Sequence, residues 1–377
     1  MEFIILTVIL IILVPMYARR RIRQRINRKG NAILRFIEQH PEQSSAQIIH
    51  NGEVLFEAHP DRLMPLASTV KIIVAIEYAK QAASGRIQPD RLVMLSELDR
   101  FYLKDLDGDA HPNWIAFLGE NDRITNDSIR LEEVAKGMIQ FSSNANAEYL
   151  MEQLGLDNIN RNLIELGLTR HEPLYPFVSS LLIPYEWSKQ YSGLPPEEAV
   201  SQAKSSLREM SPDEFRKQAY RIHLLLQADT DGSYKTSADL HSWYDTDWDK
   251  MNSERFISST TREYVTIMRY INAGNYYDPT VQTHLKIILE AIMEHPSNQQ
   301  WLTQAGRKGG STACILTEAI YAEDKQGNAT EAAIFFNELN PELVEKLSAL
   351  MNGFELLLLK DPEFREQLKQ QRALSAS

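Results

Sequence analysis

A single cysteine, Cys314, is the only thiol in this chain of 377 residues. No intramolecular disulfide is available, and the fold has to rest on packing. Cys314 sits in the apolar stretch Ala313, Ile315, Leu316 and is expected to pack as a small core hydrophobe. Positive charge is also scarce outside the N-terminus. The chain carries −11 overall, while residues 1–30 hold Arg19, Arg20, Arg21, Arg23, Arg25, Arg28 and Lys29 against Glu2, a local +6 that leaves −17 for the remainder. An acidic body without a basic stripe repels a polyphosphate, which argues against nucleic acid as a partner. There is no Gly-x-Ser-x-Gly elbow, P-loop, dinucleotide fingerprint or His-Glu-x-x-His, and the nine histidines are scattered. Neither a metal nor a cofactor is therefore expected.

What is present is enough for a large core. With 43% apolar and 24% charged residues the chain reads as an ordinary globular protein. Phe3 to Met16 is apolar apart from Thr7 and is followed by the arginines, so residues 1–29 read as a membrane segment or secretory signal with a basic flank. As a helix the run spans about 21 Å against a bilayer core of roughly 30 Å. Basic residues after the run favour a cytoplasmic body, whereas a secretory signal would place it outside, so the side of the membrane stays open.

Residues 30–377 form the second unit. Ala32 to Glu38 is expected to be a helix, and Ala46 to His50 and Val54 to Glu57 flank the hairpin signal Asn51-Gly52. Near the other end, Ala313 to Ala322 and Glu331 to Asn337 are split by the turn Asp324–Asn328 and should pair antiparallel. Pro341 opens a long helix with Leu343, Leu347, Leu350, Phe354 and Leu358 on one face. Strands at both chain ends with helical patterns between predict an α/β (α+β) fold, an antiparallel sheet flanked by helices with a helical lobe beside it. Residues 188–255 are polar and carry Pro195-Pro196 and Asp229–Gly232, and they read as an insertion whose helices lie on the surface.

The most informative stretch is Leu66 to Ile76, which is apolar except for Ser68, Thr69 and Lys71. A lysine there is desolvated, and desolvation disfavours the ammonium and turns the amine into a base. In a helix Ser68 and Lys71 share a face one turn apart, within reach of proton transfer. In a strand, which Val70, Ile72 and Ile73 would also suit, they point to opposite faces. Ser-x-x-Lys alone arises by chance about once in a chain this long, and Ser201 to Lys204 is such a decoy, in a polar setting where the lysine should be solvated and inert. Two further motifs follow. Ser142-Ser143-Asn144 comes after the amphipathic run Leu131, Val134, Ala135, Met138, Ile139, and Lys308-Gly309-Gly310-Ser311 stands at the start of an expected strand. Taken singly they read as a helix cap and a turn, and the His-Pro pairs at His59, His111 and His295 read as turns too.

The three motifs in this order resemble the class A β-lactamases and penicillin-binding proteins, over about residues 45 to 360 without the insertion. The resemblance implies a serine hydrolase in which Ser68 attacks a carbonyl with Lys71 as base and Ser142 passes a proton to the leaving nitrogen. It implies that Asn144 and Lys308 bind the substrate's amide and carboxylate, with Gly310 completing the third motif, and that the backbone N–H groups of Ser68 and Ser311 form the oxyanion hole. The expected partner is a small molecule or peptide bearing a carboxylate, and the implied setting is membrane-anchored or exported to the periplasm or cell exterior. Glu172, in Arg170-His171-Glu172-Pro173, is the candidate for the carboxylate that orients the deacylating water. Pro176 stands where the family has an asparagine four residues on, Gly309 replaces a hydroxyl residue and Ser143 an aspartate. Three readings follow: a β-lactamase-type hydrolase, a cell-wall D-Ala-D-Ala peptidase or esterase that deacylates slowly, and a catalytically silent binding or scaffold protein.

Overall fold

The computed structural model describes residues 31–375. The apolar run Phe3–Met16 and its arginines lie outside them; among the described residues no helix is long and apolar enough to cross a membrane. Five strands form one antiparallel sheet: β1 (Ser44–His50), β2 (Glu53–Ala58), β3 (Leu302–Ser311), β4 (Leu316–Asp324) and β5 (Ala329–Phe336), ordered β2-β1-β5-β4-β3. Both chain ends thus meet in one sheet, with Ser44 opposite Phe336 and Leu316 opposite Phe336 on the other side.

The period-2 alternation of strand side chains divides the core. Ala332, Ile334 and Phe336 pack on one face with the helix 31–39 and with Leu347, Met351, Phe354 and Leu358 of the helix Pro341–Lys360. Ala333 and Phe335 face the larger core, where Tyr264, Ile267, Met268 and Ile271 of the helix Thr261–Ala273 pack with the helix Lys71–Ala83.

Several sequence expectations are corrected here. Residues 188–255 are helical but not superficial: Leu207, Phe215, Ala219, Ile222, Leu226 and Trp248 are buried in the main core. On the helix Pro212–Ala228, Phe215, Ala219, Ile222 and Leu226 recur at helical spacing on the buried face while Asp213, Lys217 and Arg221 are exposed, which makes the segment look polar when read as composition. Lys308–Ser311 ends strand β3 and does not begin the following one. Cys314 lies in the turn after it and is half-buried. His111 is no turn: it sits buried in the first turn of the helix Ala110–Glu120, against Tyr102 and Trp114. Lys204 is not free in solvent, because its ammonium donates to the Trp243 carbonyl and to Asp245 at 2.7 Å.

Candidate active site

Leu66–Ile76 folds as a 3-10 turn, Ala67–Val70, running into the helix Lys71–Ala83. This is the helical alternative, and it places Ser68 immediately before the first turn. Three anchors hold the turn. Leu66 N donates to Ile257 O at 3.0 Å, Thr317 Oγ1 donates to Leu66 O at 2.8 Å, and the Thr69 and Thr317 hydroxyls meet at 2.7 Å. Ala67 is forced to φ 43° and Ser142 to φ 69°. A left-handed non-glycine residue costs on the order of 1–3 kcal/mol, and two of them flanking one cleft mark a place where packing overrides backbone preference.

Gly310 explains how the third motif reaches the first. A Cβ at Gly310 would lie 2.5 Å from Ser68 N and 2.8 Å from both Thr69 N and Thr317 Oγ1. Strand β3 therefore rides directly on the amide of Ser68, as only a glycine permits. Gly309, which faces the opposite side, leaves room for Glu318: its Cβ would stand 2.9 Å from Glu318 Oε2. Glu318 and Glu355, both buried, share Arg307 at 2.7 and 2.9 Å.

Lys71 is fully buried, and its Nζ donates to Ser142 O at 2.6 Å, to Asn144 Oδ1 at 2.8 Å and to Ser142 Oγ at 3.3 Å. Lys308 Nζ donates to the same Ser142 hydroxyl at 3.0 Å and to Gly309 O at 2.6 Å. The two lysines and Ser142 thus form one continuous polar chain. Burial, followed by the charge of Lys308, holds Lys71 well below the ordinary lysine value, with Asp107 opposing. Burial also lowers Lys308 to about 8, with Glu318 opposing and Arg307 reinforcing the fall. A low-pKa amine beside a cation is the arrangement that makes lysine a base at neutral pH.

Ser143 has a scaffold role. Its hydroxyl caps the helix Asn144–Leu154 by accepting from Asn146 N and lies 2.8 Å from His111 Nδ1. Buried His111, lowered to about 4 mainly by desolvation, stays neutral there.

These residues surround a cleft of about 970 Å³ lined by Ser68, Ser142, Asn144, Gly310 and Ser311, among others, with Tyr244, Asp245, Thr246 and Asp249 of the insertion forming one wall and Asp105 and Asp107 another. Ser68, Lys71, Ser142, Asn144, Lys308, Gly310 and Ser311 are thus brought together, and Glu172 is not. Glu172 lines a separate pocket of about 160 Å³, where Oε2 accepts from Ser258 N at 3.0 Å and its own amide donates to Ser258 O at 2.9 Å. Its neighbour along the loop, Phe177, places its ring 5.8 Å from Lys71 Nζ. The loop is pinned by Glu148, fully buried, which accepts from Val178 N at 3.1 Å, Ser179 N at 3.3 Å, the Ser179 hydroxyl and His223 Nδ1 at 3.1 Å. Glu148, Phe177 and Asp107 were not singled out from sequence, and His111 was read only as a turn. The one available signal was Glu148, a carboxylate on the inward face of an otherwise apolar helical run.

Comparison with curated protein sequences gives no match. In structure it is similar to the chromosome-encoded β-lactamase of Vibrio parahaemolyticus (12% identity, TM-score 0.52, covering 88% of this chain and 99% of that one). It is similar as well to a β-lactamase from Burkholderia vietnamiensis (11%, 0.51, 89% and 97%) and to the class A β-lactamase from Mycobacterium abscessus (11%, 0.51, 88% and 98%). At such identities the likeness speaks for the fold. Residues 28–351 match the Beta-lactamase enzyme family, a span that holds all three motifs and the cleft they line, and the chain belongs to that family.

Proposed function

We propose that this serine hydrolase acts through an acyl-enzyme on the amide or lactam bond of a substrate bearing a carboxylate. The observation that carries the reading is the buried chain Lys71–Ser142–Lys308, whose Ser142 lines the same cleft as Ser68. Lys71, whose charged form burial disfavours, takes the Ser68 proton as Oγ attacks the carbonyl carbon. Ser142, which touches both lysines, passes a proton to the departing nitrogen. The Ser68 amide, against which Gly310 is packed, and the Ser311 amide at the end of the same strand receive the developing oxyanion. Asn144 orients the substrate amide, and Lys308, still charged at neutral pH, attracts the carboxylate. Residues 1–29 would anchor or export the domain to where cell-wall peptides or β-lactams are met.

A second reading, a peptidase or esterase that releases its acyl group slowly, draws on the position of Glu172 and on Phe177 beside Lys71. The test is product formation from benzylpenicillin and from a D-alanyl-D-alanine peptide. Turnover that disappears in Ser68→Ala and persists in Glu172→Gln is expected. Turnover that survives Ser68→Ala would refute the nucleophile.

A further inference from the structure

Lys71 is held by the two residues that flank Ser143: its Nζ donates to Ser142 O at 2.6 Å and to Asn144 Oδ1 at 2.8 Å. The position of that turn therefore decides where the amine finds its partners. Ser142 stands at φ 69°, a left-handed setting that a serine keeps only when its surroundings impose it. Ser143, fully buried beneath the turn, is the anchor. Its N donates to Gly137 O at 3.2 Å, and its Oγ accepts from Asn146 N at 3.2 Å.

A hydroxyl used as a helix cap differs from a carboxylate in one respect: it brings a proton that, once buried, needs an acceptor. Among the described residues the remaining partner of Ser143 Oγ is His111 Nδ1, at 2.8 Å. The pairing that satisfies both groups sends the Ser143 proton to Nδ1 and leaves the imidazole proton on Nε2. His111 is itself tightly held. Its ring centroid lies 4.9 Å from that of Tyr102 and 5.3 Å from that of Trp114, and its backbone N donates to Asp107 Oδ2 at 3.0 Å. Trp114, one turn further along the same helix, packs against the same place: a Cβ at Gly137 would stand 2.5 Å from the indole and 2.4 Å from Asn146 Nδ2. The helix Ala110–Glu120 thus sits without slack against the helices Leu131–Gln140 and Asn144–Leu154 that enter and leave the second motif.

We infer that His111 is a positioning residue for acylation: by accepting the Ser143 proton it fixes the turn that presents the Ser142 hydroxyl and the Asn144 amide oxygen to Lys71. The inference rests on the acyl-enzyme reading above. Without that acceptor the buried Ser143 hydroxyl has to turn to another partner and give up the Asn146 N–H, and the turn is free to relax from the left-handed setting of Ser142. Ser142 O, Ser142 Oγ and Asn144 Oδ1 then no longer converge on Lys71.

The experiment follows formation of the Ser68 adduct of benzylpenicillin by intact-mass spectrometry on the full chain, giving the limiting acylation rate and the half-saturating concentration. It compares the unaltered protein with His111→Asn, His111→Gln and His111→Phe. Asparagine carries an amide oxygen at the position of Nδ1 and can take the Ser143 proton. Glutamine is as polar but sets its amide further out, near the position of Nε2. Phenylalanine keeps a ring against Tyr102 and Trp114 and offers no acceptor. The expected result is a limiting rate within about threefold of the unaltered one in His111→Asn and about 10- to 100-fold lower in His111→Gln and His111→Phe, the scale of a displacement approaching 1 Å, with half-saturation moved by less than about threefold. Equal limiting rates in His111→Asn and His111→Gln would overturn the inference, and that comparison decides even if His111→Phe melts below the assay temperature. An unaltered limiting rate in folded His111→Phe would overturn it too, as would a defect confined to half-saturation. Absence of any adduct on the unaltered protein is a separate outcome, which would overturn the acyl-enzyme reading and this inference with it.

Discussion

Gly310→Ala isolates the contact that joins the strand bearing Lys308 to the turn bearing Ser68. The glycine has no left-handed φ, so alanine meets no backbone penalty and the effect is steric. The new Cβ would lie 2.5 Å from Ser68 N and 2.8 Å from Thr69 N. Ordinary contact between such atoms is about 3.5 Å, so strand and turn must part by roughly 1 Å. Both neighbours are backbone, pinned by Leu66 and Thr317, and neither can rotate away. Overpacking of this kind costs about 1–3 kcal/mol, and a displacement of about 1 Å between nucleophile and oxyanion donors costs on the order of 100-fold in rate. Gly306→Ala supplies the comparison, because its Cβ would strike the buried Tyr321 ring at 2.5 Å on the same strand, away from Ser68. Stopped-flow acylation by a chromogenic cephalosporin, with melting curves for both variants, separates the two effects. Both proteins should lose stability and only Gly310→Ala should lose acylation out of proportion. Wild-type acylation in Gly310→Ala would refute the close approach.

The acylation rate should follow a bell, with an acid limb far below 10.5 where Lys71 becomes protonated and a basic limb near 8 where Lys308 loses its charge, measured as the pH profile of adduct formation. Stability carries the same signature. Between about 8 and 10.5 the unfolded chain holds a proton on Lys308 that the folded one has lost, so this residue's unfavourable contribution is full below 8 and fades as pH rises. In denaturant titrations the stability difference between Lys308→Met and wild type should shrink by about 3 kcal/mol as pH rises from 8 to 10.5. Glu148→Ala leaves two backbone donors and a hydroxyl buried without their acceptor and should destabilise by about 3 kcal/mol or more, with new proteolytic cleavage around 176–180. Glu172→Gln should change stability by about 1 kcal/mol or less and leave adduct decay unaltered, since its carboxylate serves Ser258 N.

The sheet was legible because its strands announce themselves locally: Asn51-Gly52 marks a hairpin, and Ala332 to Phe336 alternate between two cores. The three motifs were legible because a lysine inside an apolar run demands a chemical reason. Strand β3 was missed since Leu302–Ser311 contains three glycines, an arginine and a lysine, residues of low strand preference that tertiary contacts with the Ser68 turn and Glu318 make acceptable. Glu172 drew attention through its neighbours in sequence, yet a loop residue's direction depends on which buried group pins the loop, and Glu148 does so from 24 positions upstream. Asp107 gave no signal at all: in Asp105-Leu106-Asp107-Gly108-Asp109 nothing local shows which carboxylate accepts from His111 N at the edge of the cleft.

The central claim is that Ser68 becomes covalently acylated. Incubating the protein with benzylpenicillin and mapping the modified peptide by mass spectrometry tests it directly. The account predicts a mass gain of one penicillin on the peptide carrying Ser68, absent from Ser68→Ala and strongly reduced in Lys71→Ala. A gain located on another residue, or one that survives Ser68→Ala, would contradict it.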